Sequence, residues 1–274
     1  MSTLPDLLFF AVLLVFAGAL AGLLAGLLGI GGGAVLVPVF YQVFGYVGID
    51  PAVIMHLAVG TSTAIIVPTS IRSFTAHRKR GLVDTDLLKG WIVAVPLGAA
   101  LATVIASHAS SEMLRLIFAV IALLLAARMV FLTNRLHLGD DLPGEPARFV
   151  VGTVFGLISG LMGIGGGVLN NTFMTLYRRP IHQAVATSSG VGVLISIPAL
   201  IGYVAAGWGE PGLPPLSTGF VNWIAFALII PVAMVVAPIG ARLAHAMSKR
   251  QLELGFATFL VVVSLRFFWS LYGG

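Results

Sequence analysis

The sequence contains no cysteine and few charged residues. The lack of cysteine excludes disulfides, thiolate catalysis and iron–sulfur ligation. Only 9% of the residues are charged, whereas 58% are hydrophobic and the mean hydropathy is +1.05. Because soluble domains carry about 25% charged residues, this composition predicts a protein embedded in a lipid bilayer. The 274 residues leave no room for a sizeable soluble domain.

Acidic residues are absent from the middle of every apolar run, where they would serve as a proton or sodium site. Those present fall in loops or at the starts of runs, and no metal site is expected. The net charge of +5 comes from basic residues scattered through short loops. A positive-inside bias explains them better than nucleic-acid binding does.

Ten apolar runs follow one another along the chain. The first suits a retained spanning helix, because it exceeds the apolar core of a signal peptide, which has about 7–15 residues. Runs 34–45 and 168–177 are too short to span, because twelve helical residues reach only ~18 Å. We expect each of these two to form a half-helix. The ten runs are 7–28, 34–45, 52–74, 87–107, 112–132, 149–163, 168–177, 182–207, 218–240 and 251–271.

A glycine-rich break occurs twice, each time before one of the short runs. The segment 22–33, GLLAGLLGIGGG, returns in the second half of the chain as segment 156–167, GLISGLMGIGGG. Consecutive glycines unwind a helix, at roughly 1 kcal/mol each relative to alanine. Unwound backbone in a bilayer persists only where it is buried in protein or lines a wet cavity. Paired breaks in two halves of one chain indicate a binding site at the repeat interface.

Other blocks repeat in the same order. Segment 56–63 aligns with 182–189, segment 96–99 with 238–241, and segment 114–119 with 252–257. In the last register Arg128 falls on Arg266. We interpret the chain as a duplication, with repeats 1–138 and 139–274.

Basic residues predict the orientation of the two repeats. They mark four segments as cytoplasmic, 72–89, 135–148, 178–179 and 242–250, whereas loops 46–51, 108–111 and 208–217 carry no Lys or Arg. Under this assignment 149–177 is a broken hairpin that starts and ends inside, and 7–45 one that starts and ends outside. The predicted fold is an all-α polytopic membrane protein, an inverted repeat of five segments each, with both termini outside.

The pattern resembles the sulfite exporter TauE/SafE family of anion permeases. The resemblance rests on Gly29–Gly33 with Pro38 downstream, on Gly163–Gly167, on the pairs Thr61-Ser62 and Thr187-Ser188, and on the loop phrase Arg80–Asp84. It implies a carrier for sulfite, organosulfonates or related small anions in a bacterial inner membrane. The second half departs from the first at Thr172, which matches Pro38, and at Asn170-Asn171, which match Leu36-Val37.

The first predicted anion contacts are Gly31, Gly32 and Gly33, with Gly165, Gly166 and Gly167. A half-helix that begins after a glycine break presents free N–H groups and the positive end of its dipole. The alternative is that these glycines only allow close helix packing.

Hydroxyl and amide donors near the breaks are further predicted substrate contacts: Thr61, Ser62, Thr187, Ser188, Asn170 and Asn171. Their alternatives are bonds to a carbonyl one turn back or between helices. The repeat pairs His56 with His182, which could relay a proton or could simply be interfacial. Arg128 and Arg266 either attract anions at the pathway mouths or extend to lipid headgroups.

The sequence therefore predicts a secondary carrier without a cofactor. Residues 29–34 also fit a dinucleotide fingerprint, but a membrane span precedes them instead of a strand, and no ATP-binding motif is present. One alternative is an anion channel. Another is an intramembrane enzyme that uses Ser188 with His182 or another histidine, although Ser188 and His182, six residues apart, lie on different helix faces. The anion, the coupling ion and the oligomeric state stay open, a homodimer included.

Overall fold

The computed structural model describes residues 12–23, 33–131 and 138–272, apart from the side chains of residues 238, 241, 242, 244–246 and 249. These residues are mostly helical. The elements in chain order are α1 (Val12–Leu23), α2 (Gly33–Tyr46), α3 (Ile54–Lys79), α4 (Thr85–Trp91), α5 (Ala94–His108), α6 (Ser111–Phe131), α7 (Ala147–Met162), α8 (Gly167–Leu176), α9 (Ile181–Ala206), β1 (Ser217–Thr218), β2 (Val221–Asn222), α10 (Trp223–Ala246) and α11 (Lys249–Tyr272).

Four of these helices, α3, α6, α9 and α11, are long and apolar enough to cross a bilayer. Helices α4 and α5 together pass the same test but bend by 46° where they meet. The bend follows from Pro96 in the first turn of α5, which has no N–H to donate to the carbonyl of Ile92. The chain is a polytopic membrane protein.

Helices α3 and α9 form the centre of the molecule. They pack against each other, and 78% and 56% of their apolar windows are buried, against 33% in α6 and in α11. Helix α2 packs on α3, and α8 packs on α9. Helices α6 and α11 pack together.

Glycines let the helices before the half-helices approach their neighbours closely. A Cβ placed on Gly152 of α7 would lie 2.6 Å from the Trp91 ring, and one on Gly156 would meet the carbonyl oxygen of Val95. In α1, a Cβ on Gly22 would lie 2.7 Å from the carbonyl oxygen of Ala233. Small residues of this kind commonly bring membrane helices together.

The helix ends fall into two groups. At one end, which we call the basic end, Leu138 N donates to Leu176 O at 3.1 Å, and Arg250 donates to Met129 O at 2.9 Å. Arg178 and Arg179 form ion pairs there with Asp140 and Asp141. The hairpin of α7 and α8 therefore begins and finishes at the same end of the molecule.

The opposite end holds the connections from α2 to α3, from α5 to α6 and from α9 to α10. Met55 N donates to Ser111 Oγ at 3.2 Å, and Phe220 N donates to Tyr203 O at 3.1 Å. Strands β1 and β2 pair antiparallel in front of α10, so that helix starts at Trp223 and not at the predicted residue 218. Asn222 fixes the start of α10, because its Oδ1 accepts from Ala225 N and caps the helix.

Candidate functional site

The second glycine break requires glycine at two positions. Helix α7 ends at Met162, and Gly163 and Gly166 have φ angles of 62° and 70°. Residues with a Cβ rarely adopt this left-handed backbone. The N–H of Ile164 donates back to Ser159 O at 3.0 Å, so α7 closes tightly before the chain turns into α8.

The N-terminus of α8 is buried and lacks a cap. Its first internal hydrogen bond runs from Asn170 N to Gly166 O at 2.9 Å, so the N–H groups of Gly167, Val168 and Leu169 have no partner within the helix. The N-cap residue is Gly166, which has no side chain that could accept from these N–H groups. Every residue from Leu161 to Asn170 is buried. A buried helix start with free N–H groups is an anion-binding arrangement.

A buried hydroxyl group lies near this helix start. Ser159 is fully buried, and its Oγ would be 3.7 Å from a Cβ on Gly166. Ser159 Oγ has no hydrogen-bond partner among the described residues. A buried polar atom without a partner is uncommon in proteins, which marks this region as one that can accommodate a polar ligand.

The last residue of the first break, Gly33, lies against the second break. A Cβ on Gly33, the first residue of α2, would lie 2.6 Å from Gly163 O and 2.9 Å from Ile164 Cα. One on Gly163 would lie 2.9 Å from Val37 Cγ2. The predicted contacts Gly31 and Gly32 lie outside the described residues.

Ser62 and Ser188 hold the second break and its half-helix. Ser62 Oγ donates to Gly163 O at 2.9 Å. Asn170 Nδ2 donates to Ser188 Oγ at 2.7 Å, and Ser188 Oγ donates to Asn171 Oδ1 at 2.7 Å. Asn170 Oδ1 is buried without a partner in the described residues. The amides and Ser188 thus form one network on the first turn of α8.

Thr61 and Thr187 each accept a hydrogen bond from a backbone N–H in a distant segment of the chain. Thr61 Oγ1 accepts from Asn222 N at 3.0 Å, and Thr187 Oγ1 accepts from Asp84 N at 2.9 Å. Asp84 caps α4 by accepting from Leu87 N, as Asn222 caps α10. Each threonine therefore fixes the N-cap residue of a distant helix.

The two paired histidines occupy different surroundings. His56 is buried and stacked on Phe220, with its Nε2 3.0 Å from Ala106 O and 3.1 Å from Ala109 O. Its Nδ1 has no partner among the described residues. His182 is exposed at the start of α9.

The two paired arginines also differ. Arg128 Nη1 donates to Thr172 Oγ1 at 2.6 Å and so ties α6 to α8. Arg266 lines an apolar cavity of about 370 Å³ between α1, α2 and α11, and Pro38 lies in the same lining. Proline offers Arg266 no hydroxyl of the kind that Thr172 offers Arg128.

Sequence reasoning missed Ser159 and Arg115. Ser159 stands inside the repeated glycine phrase where the first half has Ala25, and that difference was the available signal. Arg115 is buried in α6 and donates to Tyr41 of α2 and to Ser270 of α11. In the repeat alignment Arg115 corresponds to Glu253, so no repeated basic residue marked this position. Among the described residues, no cluster of three His, Asp or Glu side chains could hold a metal ion.

Comparison with known proteins gives a consistent result. The sequence model described as "Sulfite exporter TauE/SafE" matches residues 14–267. A probable membrane transporter protein of Haemophilus influenzae is 31% identical over 94% of this chain and 98% of its own length. One from Methanocaldococcus jannaschii is 28% identical over 92% of this chain and 93% of its own. No solved structure matches.

Proposed function

This chain belongs to the sulfite exporter TauE/SafE family, whose curated members are named as membrane transporters and not as enzymes. From that premise we propose that it is a secondary carrier for a small oxyanion, such as sulfite or an organosulfonate. The anion binds at the start of α8, at the interface of two repeats, and reaches either side of the membrane by alternating access.

The buried N-terminus of α8 is the observation that supports this proposal most. Three N–H groups, of Gly167, Val168 and Leu169, lack a partner within the helix, and the unpartnered hydroxyl of Ser159 lies beside them. In a bilayer, unsatisfied backbone N–H groups cost several kcal/mol unless a ligand or water meets them. A bound oxyanion accepts from several of these donors at once and interacts favourably with the helix dipole.

The meeting of the two breaks supports a shared site. Gly33 begins α2 against Gly163 and Ile164, which lead into α8. Gly31 and Gly32 precede Gly33 directly, and we assign them to the same site. Asn170, Asn171 and Ser188 line the first turn of α8, whereas Ser62 holds the carbonyl of Gly163. Thr61 and Thr187 act on the site indirectly, by fixing other helices.

Matched contacts support the duplication into repeats 1–138 and 139–274. Gly152 meets Trp91 while Gly18 meets Ile229, and Gly156 meets Val95 while Gly22 meets Ala233. Gly18 and Gly152, like Gly22 and Gly156, are as far apart in the chain as the two glycine breaks. Their partners, Trp91 and Ile229, and Val95 and Ala233, share a second separation. One alignment of the repeats therefore accounts for both contacts.

The hydroxyl contacts repeat as well. Thr187 accepts from Asp84 N while Thr61 accepts from Asn222 N, and the alignment of segment 56–63 with 182–189 pairs these two threonines. A contact made twice by corresponding residues is what a two-fold relation between repeats requires. Shared apolar composition alone would not produce it.

The distribution of charge supports opposite orientation of the two repeats. The basic end contains Arg178, Arg179, Arg148 and Arg250, and the α7–α8 hairpin opens there. Helix α2 instead ends near the opposite end, where Tyr41 accepts from Arg115. By the positive-inside rule the basic end is cytoplasmic, and the first hairpin then opens to the outside.

Energy for transport comes from an ion or substrate gradient in this account. His56 is the better placed of the paired histidines to relay a proton, because it is buried and its Nδ1 has no partner among the described residues. His182 is exposed and would act only at the rim of the pathway.

Uptake into proteoliposomes tests the proposal. We expect radiolabelled sulfite or methanesulfonate to enter with saturable kinetics and to show counterflow, which distinguishes a carrier from a channel. Gly166→Leu should abolish uptake, because a side chain there needs a left-handed backbone and would lie 2.6 Å from Ile195 Cδ1. Gly255→Leu is the matched control, since nothing lies within 4 Å of a Cβ on Gly255. Full uptake by a folded Gly166→Leu protein would remove the assigned site.

A further inference from the structure

The half-helices and the parts of the central helices around the break carry no formal charge. The sequence has no Asp, Glu, Lys or Arg in residues 7–49, 51–71, 149–177 or 180–209, which include α2, α8, α9 and most of α3. A bound anion therefore meets only neutral dipoles from these segments, namely backbone N–H groups, hydroxyls and amides.

Apolar side chains enclose the same groups. A Cβ on Gly163 would lie 3.1 Å from Val59 Cγ1, and one on Gly166 would lie 2.6 Å from Ile195 Cδ1. Ile66 Cδ1 lies 2.6 Å from the corresponding position on Gly33. Such walls keep the local dielectric constant low, which increases both the attraction of a matched charge and the penalty for an unmatched one.

The positive potential of this site comes mainly from two helix ends. Helix α2 begins at Gly33, which lies against Gly163 and Ile164, and α8 begins three residues after Ile164, at Gly167. The N-terminus of a helix is equivalent to about +0.5 elementary charge, so the pair together provides about one positive charge. Arg128 reaches α8 only at Thr172, ~7.5 Å along the axis from Gly167. Glu253 acts electrostatically on that same guanidinium.

We infer that the site selects anions by charge and accepts a singly charged oxyanion in preference to a doubly charged one of the same shape. This inference rests on the proposed function and specifies its substrate class. A monoanion such as a sulfonate or bisulfite matches the two helix ends. A dianion such as sulfate leaves one negative charge without compensation among apolar walls. The unpartnered hydroxyl of Ser159 supplies a neutral donor to either one.

Methanesulfonate and sulfate test the inference, because they are nearly isosteric tetrahedra that differ by one charge. With the purified full-length protein, we expect radiolabelled methanesulfonate to bind at least tenfold more tightly than sulfate. Sulfite uptake should rise as the pH falls through neutrality and bisulfite replaces the dianion, whereas methanesulfonate uptake should stay flat. Equal or tighter binding of sulfate would overturn the inference and leave the proposed function intact. If neither anion binds saturably, the inference and the proposed function both fail.

A variant that adds charge provides a second readout. Asn171→Lys places a cation on the first turn of α8, and we expect it to shift the methanesulfonate-to-sulfate affinity ratio toward sulfate by at least tenfold. Asn171→Gln changes the length of the side chain without adding charge and should leave the ratio within threefold. An unchanged ratio in a folded Asn171→Lys protein would contradict charge matching. The wild-type comparison decides the question if this variant does not fold.

Discussion

At the second break, Ser159 is buried at some cost to the protein. Ser159 Oγ is fully buried without a partner in the described residues, beside N–H groups of α8 that have no partner within the helix. A buried hydroxyl in that condition carries a desolvation penalty of about 1–3 kcal/mol. A group kept at such a cost is expected to contribute to binding and not to stability.

Ser159→Ala should separate these two contributions. We expect the melting temperature of the anion-free protein to stay constant or rise, because the substitution removes an unsatisfied polar atom. The Kd for the anion should increase about tenfold, which corresponds to ~1.4 kcal/mol for one lost hydrogen bond. Thermal unfolding and equilibrium binding on the same preparation measure both quantities.

Ser264→Ala is the matched control for that pair of measurements. Ser264 is equally buried, but its Oγ donates to Leu260 O of its own helix at 2.8 Å. The Ser264→Ala substitution should leave anion binding unchanged. A Ser159→Ala protein that is less stable and binds as well as the wild type would assign Ser159 a purely structural role.

At the scale of elements, two threonines connect the central helices to the helices that pack on them. Thr61 of α3 fixes the N-cap of α10, and Thr187 of α9 fixes the N-cap of α4. Each bond joins segments that are far apart in the chain and so holds one element against another.

Thr61→Val and Thr187→Val should each destabilise the protein by ~1–3 kcal/mol, because valine has nearly the same shape and leaves a backbone N–H of Asn222 or Asp84 without an acceptor. Thr258→Val is the control, since Thr258 is exposed and bonds only within α11. Chemical denaturation in detergent measures the free energies of unfolding. Losses no larger than that of Thr258→Val would show that the two hydroxyls do not fix these helices.

The local elements were largely predictable from the sequence, whereas the contacts between them were not. The half-helices predicted at 34–45 and 168–177 lie within one residue of α2 and α8, because glycine runs and hydropathy act locally. The kink between α4 and α5 and the β1–β2 hairpin were missed. The site's hydrogen bonds, such as Ser62 to Gly163, join residues that only the packing of α3 against α7 brings together.

At the scale of the whole molecule, the packing refines the proposed repeat. The sequence pairs segment 96–99 with 238–241, and in that register Val95 would correspond to Ala237. If Gly156 is taken as the counterpart of Gly22, their contacts pair Val95 with Ala233 instead, a difference of about one helical turn. The shared Pro-x-Gly-Ala phrase is a similarity of residue types only. The contacts with Gly18 and Gly22 depend on which face of α10 packs against α1.

The natural absence of cysteine makes the orientation of the two hairpins testable with single thiols. We expect Val47→Cys, just after the first hairpin, to react with a membrane-impermeant maleimide in intact cells. Gly144→Cys, just before the second hairpin, should react only after the membrane is permeabilised, because it lies at the basic end. Labelling of both variants from the same side would rule out opposite orientations.

The central claim is that an anion binds at the start of α8. Crystals of the protein grown with bromomethanesulfonate would locate the ligand through the anomalous scattering of its bromine. The account predicts a bromine peak beside Gly166 and Ile195, with the sulfonate within hydrogen-bond distance of the N–H groups of Gly167, Val168 and Leu169. If bromomethanesulfonate is transported normally but every bromine peak lies away from this helix start, the central claim is contradicted.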